Sequence, residues 1–246
     1  MTTSSASQFE ELAYLYERSF DVWPYRRDVE QHSVRVALGD VAGLAALDLG
    51  CGAGSYTRWL AELGARPVVG VDGAAGMVDY ARRREQEDPS GATFALQDAS
   101  EPISGRFDVV LAVHLLPYAE TVEAFTAMCA TARAALSGPG KRFVTVTINP
   151  GFATDPGYYT RYGFDLIASS DELRDGDPVR LRSEFLGGLI DVTPHYWSRA
   201  TQERALLDAG FRQVTWWDPL CSPTADAEHF GDYLRKPPTL VVTATA

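Results

Sequence analysis

Basic residues are a minority in this sequence of 246 residues: 22 Lys and Arg stand against 33 Asp and Glu, for a net charge of −11. They form no cluster, so binding to nucleic acid phosphates or to an acidic membrane surface is not expected. No apolar run approaches the ~20 residues that a membrane-spanning helix needs. This balance favours a small, neutral or cationic substrate.

Cysteine is also scarce, and the three residues stand singly at Cys51, Cys129 and Cys221. Neither a Cys-x-x-Cys motif nor a His pair at metal-ligand spacing is present, which argues against a disulfide framework, a structural zinc or any other metal site. Residues 1–7 lack the charged-then-apolar pattern of a signal peptide. We therefore expect a cytoplasmic protein. A monomer and a homodimer are both open.

Apolar runs alternate with helical patterns from residue 45 to residue 147, which predicts a doubly wound α/β fold. The predicted strands cover residues 45–49, 67–71, Thr93–Leu96, 107–113 and 142–147, and the predicted helices between them cover residues 55–63, 74–87 and 121–136. Strands over 212–218 and Thr239–Thr245 would complete a seven-stranded, mostly parallel sheet with an antiparallel last strand.

The remaining segments are predicted to cover this sheet. Helices over residues 9–20 and 26–38, separated by Trp23-Pro24, would form an N-terminal cap, and a β-hairpin turning at Gly187-Gly188 would form a lid. We expect one domain, in which residues 1–44 are the cap, 45–147 the cofactor-binding core, 148–197 the lid and 198–246 the completion of the sheet.

The glycine-rich turn after the first strand indicates a ligand site. Gly50, Gly52 and Gly54 lie between that strand and the next helix, where the backbone can approach a ligand closely. Asp72 ends the second strand, where a carboxylate can accept both ribose hydroxyls, and Asp98 follows the third, where it can accept from an adenine amino group. Together these features predict a nucleoside-type cofactor.

Two cofactor classes fit such a site. Nicotinamide dinucleotides are disfavoured, because their fingerprint G-x-G-x-x-G/A requires Gly or Ala where this chain has Ser55. The stretches 47–54, 69–72, 97–99 and 107–111 instead resemble the class I S-adenosylmethionine-dependent methyltransferases. That resemblance implies a Rossmann-like fold, with S-adenosylmethionine as cofactor and S-adenosylhomocysteine as its product.

The resemblance also implies roles for individual residues. Gly50, Cys51 and Gly52 would line the methionine part of the cofactor, and Asp48 would position the turn and the amino group. Asp72 would hold the ribose. The adenine would be flanked by Gly73 and Met77 and met by Asp98 and Ala99, while Tyr16 or Arg26 would bind the cofactor carboxylate.

The flanks are similar to a group of secondary-metabolism methyltransferases that includes the toxoflavin-pathway N-methyltransferase. The similarity lies in Pro24-Tyr-Arg26-x-x-x-Glu30, Asn149-Pro150, Tyr162-Gly-Phe164 and His195-Tyr-Trp-Ser198. It implies a small, aromatic or heteroaromatic acceptor, as in antibiotic biosynthesis. Transfer to nitrogen is preferred over transfer to oxygen, because the sequence shows no strong acid–base pair.

His114, at the end of the fourth strand, is the first candidate for a general base, and it also borders the cofactor; a pocket wall without proton transfer is an equal alternative. His195 is the second candidate. Tyr118, Phe152, Tyr159 and Tyr196 are predicted to contact the substrate. A protein of this fold that does other chemistry, or an NAD-dependent oxidoreductase, also remains open.

Overall fold

A computed structural model describes residues 12–246 of the chain. The start of the predicted first helix, at Phe9, lies outside the described residues. The helices are α1 (Ala13–Val22), α2 (His32–Leu38), α3 (Ser55–Glu62), α4 (Ala75–Glu87), α5 (Val122–Ala135), α6 (Arg199–Asp208) and α7 (Gly231–Arg235). The main strands are β1 (Ala46–Leu49), β2 (Val68–Asp72), β3 (Thr93–Leu96), β4 (Val109–Val113), β5 (Arg142–Ile148), β9 (Gln213–Trp217) and β10 (Thr239–Thr245).

These seven strands form one sheet in the order β3-β2-β1-β4-β5-β10-β9. The pairs from β3 to β5 are all parallel, and β10 lies antiparallel to both of its neighbours. This confirms the predicted fold class. Helices cover both faces of the sheet, so its central strands are buried on both sides; this burial is why they read as continuous apolar runs in the sequence.

Two apolar clusters occupy the two faces of the sheet. One contains Phe125 of α5 and Leu206 of α6, and the other contains Leu38 of α2, Leu60 of α3 and Val78 of α4. The chain order reverses at β1, which has β2 on one side and β4 on the other. In open parallel sheets, this switch point is where ligands bind, at the carboxyl ends of the strands.

The cap differs from the regular helix predicted over residues 26–38. Residues Arg26–Gln31 form a π-helical turn that continues directly into α2. Apolar periodicity does not distinguish a π-turn from an α-turn over six residues, and π-turns occur frequently at functional sites. This turn carries Arg26 and the buried Glu30.

The lid is a separate three-stranded antiparallel sheet of β6 (Asp165–Ala168), β7 (Val179–Phe185) and β8 (Gly188–Val192). The predicted hairpin is present, but its turn is Leu186-Gly187, one residue earlier than predicted. Both turn residues have positive φ, of 51° and 75°, as the tightest hairpin turns require. No pattern in the sequence predicts β6, which has four residues and follows an aperiodic segment.

Candidate functional site

A cavity of about 340 Å³ opens at the carboxyl ends of the core strands. Its wall includes every residue that the sequence predicted to bind the cofactor, namely Tyr16, Arg26, Asp48, Gly50, Cys51, Gly52, Asp72, Gly73, Met77, Asp98, Ala99 and His114. These residues come from the cap, from the carboxyl ends of β1 and β2, from α4 and from the loops after β1, β2, β3 and β4. The fold therefore brings together positions that span almost a hundred residues of sequence.

The glycine turn after β1 takes its shape from positive φ angles at Gly50, Gly52 and Gly54, of 74°, 53° and 82°. A Cβ at Gly50 would lie 2.8 Å from Cδ1 of Leu115, whereas a Cβ at Gly52 would meet no protein atom within 4 Å. Gly50 is therefore required by protein packing. Gly52 leaves space open in the cavity wall, as a ligand that approaches the backbone requires.

Asp72 supports this turn from the end of β2. One carboxylate oxygen accepts from the N–H of Gly52 at 2.8 Å, and the other accepts from the N–H of Ala74 at 2.9 Å. Burial raises the pKa of Asp72, and the two backbone hydrogen bonds oppose that rise. Each carboxylate oxygen can accept more than one hydrogen bond, so the group can support the turn and still accept ribose hydroxyls.

Asp48 lies behind the turn. Its side chain is 1% exposed and accepts a hydrogen bond of 2.7 Å from the hydroxyl of Thr57 on α3. Burial, with a contribution from the charge of Asp72, raises the pKa of Asp48 to about 7. Asp48 thus ties the strand end to the helix that follows the turn.

The groups predicted to meet the adenine lie together at the ends of β2 and β3. Met77 is 2% exposed and packs with Ala53 and Ala74, while a Cβ at Gly73 would lie 4.0 Å from Cα of Asp98. One oxygen of Asp98 accepts from the N–H and hydroxyl of Ser100, at 2.7 and 2.6 Å. Asp98 is exposed, so its other oxygen can accept from a ligand.

Glu30, which the sequence analysis left without a role, is at the centre of the site. Its carboxylate accepts hydrogen bonds from Arg26 and from the hydroxyl of Tyr56 at 2.9 Å, and its Oε2 lies 2.6 Å from Nε2 of His114, within hydrogen-bond distance. Burial would raise the pKa of Glu30, but the charge of Arg26 and the hydrogen bonds with His114 and Tyr56 outweigh burial and lower this pKa to about 2. Glu30 is therefore a buried, ionised carboxylate.

Two features make Arg26 and His114 unusual. The Nε of Arg26 is buried and has no hydrogen-bond partner among the described residues. His114 has a φ of 58°, in the left-handed region, which is sparsely populated by residues other than glycine. Such backbone positions cluster at functional sites. The guanidinium of Arg26 also stacks on Phe20, with Cζ 4.3 Å from the ring centroid.

Tyr16 and Tyr118 both line the cavity, and their side chains are hydrogen-bonded to each other. Burial raises the pKa of Tyr16 to about 12, and hydrogen bonding to Tyr118 opposes the rise. This contact joins α1 of the cap to the turn after β4. Of the residues predicted to contact the substrate, Tyr118 is the one found in the cavity wall.

The other predicted substrate residues and His195 lie outside the cavity wall. Phe152 and Tyr159 are buried in the apolar cluster beneath the lid, where Tyr159 stacks on Phe164 with ring centroids 5.3 Å apart, and Tyr196 packs against the same cluster. Clustered aromatic side chains bury one another here. The N–H of His195 donates to the carbonyl of Pro117 at 2.6 Å, while its Nδ1 is buried without a partner in the described chain.

The lid side of the cavity is apolar. Its wall there is formed by Phe164, Leu166, Leu181, Ser183, Ile190 and Pro194. Within residues 12–246, no group of three or more His, Cys, Asp or Glu side chains is placed to hold a metal ion. Over the same residues, no helix has the length and apolar character needed to cross a membrane.

The chain is similar to known methyltransferases in sequence. Residues 46–140 match the family model described as a methyltransferase domain. A ubiquinone biosynthesis O-methyltransferase of Rhodopseudomonas palustris is 34% identical over 46% of this chain and 43% of that protein. A demethylmenaquinone methyltransferase of Tropheryma whipplei is 29% identical over 87% of this chain and 86% of that protein. The chain thus spans about half the length of the first curated relatives it matches.

Solved structures share the whole architecture. An S-adenosylmethionine-dependent methyltransferase from Mesorhizobium loti has a TM-score of 0.61 and 25% identity, over 88% of this chain and 97% of that chain. The complex of DhpI with SAM and HEP has a TM-score of 0.62 and 20% identity, over 99% of each chain. Together with the residues lining the cavity, these findings support S-adenosylmethionine as the cofactor.

Proposed function

Starting from a methyltransferase domain at residues 46–140, we propose that the whole chain transfers the methyl group of S-adenosylmethionine to a small, mostly apolar acceptor, aromatic or heteroaromatic, in secondary metabolism. One observation carries this proposal: every residue that the sequence predicted to bind the cofactor lines one cavity, and that cavity continues into an apolar wall supplied by the lid. A site of this kind suits a charged cofactor beside an apolar acceptor.

The residues present fit the cofactor. Asp72 would accept the ribose hydroxyls, and the free oxygen of Asp98 would accept from the adenine. The cofactor carboxylate would pair with Arg26, whose Nε is buried without a partner in the described chain, and the methionine part would lie along the open backbone at Gly52. When bound, S-adenosylmethionine supplies an activated sulfonium methyl group. The protein then has to orient the acceptor and exclude water.

The acceptor atom can be an oxygen as well as a nitrogen. Nitrogen was preferred as the acceptor because the sequence shows no strong acid–base pair. In the structure, however, Nε2 of His114 lies 2.6 Å from Oε2 of Glu30. That reason therefore no longer favours nitrogen. The curated relatives include proteins named as O-methyltransferases of ubiquinone biosynthesis, and an oxygen acceptor is equally compatible with the cavity.

The proposal extends to the organisation and location of the protein. The cavity wall takes residues from the cap, the core, the lid and the segment that completes the sheet. Besides the core residues, they include Tyr16 of the cap, Leu181 of the lid and Tyr233 near the carboxyl terminus. We propose that these segments act as one catalytic domain. All three cysteines are free, which is typical of proteins of the reducing cytoplasm.

Thermal unfolding tests the cofactor, because a ligand that binds only the folded state raises the melting temperature by mass action. We expect S-adenosylhomocysteine to raise it and NADH to leave it unchanged; the reverse result would contradict the proposal. Methyl transfer is then tested with a labelled methyl donor and a panel of phenols and nitrogen heterocycles. Tight cofactor binding without label in any product would indicate that the fold serves other chemistry.

A further inference from the structure

The buried carboxylate of Glu30 fixes the proton on its histidine partner. Glu30 is 4% exposed and ionised, so it can only accept hydrogen bonds. Nε2 of His114 lies 2.6 Å from Oε2 of Glu30, and this nitrogen must therefore carry a hydrogen. Arg26 Nη1 lies farther away, at 3.4 Å from the same nitrogen, and is itself a donor.

This arrangement leaves the other ring nitrogen with a lone pair. In a neutral imidazole that carries its proton on Nε2, Nδ1 is the acceptor. Nδ1 of His114 has no hydrogen-bond partner within the described part of the chain, and the side chain is 33% exposed and lines the cavity.

The surrounding wall limits where a proton could go. The lid contributes mainly apolar side chains, including Leu181 and Ile190, and Ser183 donates its hydroxyl to the carbonyl of Gly163 at 2.7 Å. An acceptor that loses a proton during the reaction would find few polar partners on that side. His114 lies where the apolar wall meets the cofactor-binding loops.

We propose that Glu30 is a positioning residue that holds His114 with Nδ1 towards the acceptor, and that the acceptor is a phenol or enol whose hydroxyl proton Nδ1 removes. This inference rests on the proposed function. In the step, the O–H bond breaks and its proton goes to Nδ1, while an oxygen lone pair forms the bond to the methyl carbon. The electron pair of the broken carbon–sulfur bond stays on sulfur, and the imidazolium later releases its proton to water.

The first test reads the tautomer directly and does not need an active enzyme. In 15N-histidine-labelled protein with S-adenosylhomocysteine bound, we expect NMR to show the proton of His114 on Nε2 in the wild type. A proton on Nδ1 at neutral pH would overturn the inference. If S-adenosylhomocysteine does not bind, the proposed function fails; if it binds and the proton is on Nδ1, only this inference fails.

The second test uses His114→Asn, because asparagine tolerates the left-handed backbone that His114 adopts. With phenols that keep their proton at the assay pH, we expect kcat to fall by about 10²–10⁴, as is typical when a general base is lost. With phenols already ionised at that pH, the loss should be less than tenfold. His32→Asn, on α2, is the matched control and should behave as the wild type. Equal losses for both kinds of phenol, or turnover of nitrogen heterocycles but of no phenol, would overturn the inference.

The third test is Glu30→Gln. Glu30 faces Arg26 and Tyr25 from its own segment, Tyr56 from α3, His114 after β4 and Tyr233 from α7. With the carboxylate removed, no acceptor holds the proton on Nε2, so NMR of the labelled variant should show less of the Nε2 tautomer of His114 than the wild type does. A merely structural role would leave the tautomer of His114 unchanged, and that result would contradict the role of Glu30. If this variant does not fold, the NMR measurement of the His114 tautomer in the wild type tests the inference.

Discussion

Gly52→Ala should separate cofactor binding from stability. The backbone at Gly52 has a φ of 53°, and an added Cβ would meet no protein atom within 4 Å. At Gly50 the φ is 74°, and an added Cβ would lie 2.8 Å from Cδ1 of Leu115. The two glycines are two residues apart in the same turn, but only Gly50 is enclosed by protein. We therefore expect Gly50→Ala to lose mainly stability and Gly52→Ala to lose mainly cofactor affinity.

The expected magnitudes follow from these contacts. A left-handed backbone costs alanine about 1–2 kcal/mol, and 1 kcal/mol shifts the melting temperature of a chain of this size by about 2–4 °C. Gly52→Ala should therefore melt about 2–8 °C lower than the wild type. Gly50→Ala adds overpacking against Leu115, which costs about 1–3 kcal/mol more. The new methyl group at Gly52 would occupy cofactor space, and we expect at least about a tenfold loss of affinity, or 1.4 kcal/mol.

Gly43→Ala is the matched control. Gly43 has a φ of 74° and no protein atom near its missing Cβ, and it does not line the cavity. Gly43→Ala should therefore lose the stability that a left-handed alanine costs, while its affinity for S-adenosylhomocysteine stays unchanged. Thermal unfolding of the protein without ligand measures stability, and calorimetric titration with S-adenosylhomocysteine measures affinity. Wild-type affinity in Gly52→Ala would refute the placement of the cofactor along this turn.

Three further variants test the remaining parts of the site. Asp72→Ala should weaken binding of S-adenosylhomocysteine by about 3 kcal/mol, or more than hundredfold, through the loss of two charge-assisted hydrogen bonds; unchanged calorimetric affinity would remove the ribose assignment. The pKa of Glu30 is lowered from 4.5 to about 2, so its stabilisation is complete above pH 4.5 and is lost as the pH falls towards 2. The free energy of unfolding, measured with urea at several pH values in that range, should therefore fall less steeply with falling pH in Glu30→Gln than in the wild type. An equally steep fall in both proteins would contradict this. In Gly163→Ala the new Cβ would overlap the ring of Trp23, which should lower the free energy of unfolding by about 2–5 kcal/mol in a guanidinium titration; a neutral effect would show that the cap and lid do not pack there.

The part of the cavity wall that the sequence assigned to a cofactor could be predicted because its signals are local. Each strand of the core is a short apolar run that ends in a turn, and the ligand groups follow those ends in sequence. Thr93–Leu96 and Thr239–Thr245 form strands with the predicted bounds. Ser198, which precedes α6, accepts from the N–H of Thr201 and caps that helix. Such features depend on neighbouring residues, so the sequence displays them directly.

The acid–base pair could not be predicted in the same way. Arg26 and Glu30 are four residues apart, a spacing that usually marks an exposed helical ion pair. What makes Glu30 functional is its burial against Tyr56 and His114, 26 and 84 residues away. No local pattern carries that information. The motif Arg26-x-x-x-Glu30 was visible, but its meaning depends on tertiary packing.

The acceptor half of the site was obscured by a different property of the sequence. Aromatic residues are abundant between residues 148 and 197, but residue type does not distinguish a side chain that lines a cavity from one that packs beneath it. Phe152 and Tyr159 support the lid from below, whereas Leu181 and Ile190, on adjacent antiparallel strands, reach the cavity. Along a strand, alternate residues face opposite sides, so the register of β7 and β8 decides which side chains meet the acceptor. That register shapes the apolar wall, whereas the cofactor contacts that we propose lie at Asp72 and Gly52. We therefore expect that acceptor preference can change through the lid without any change in the loops proposed to bind S-adenosylmethionine.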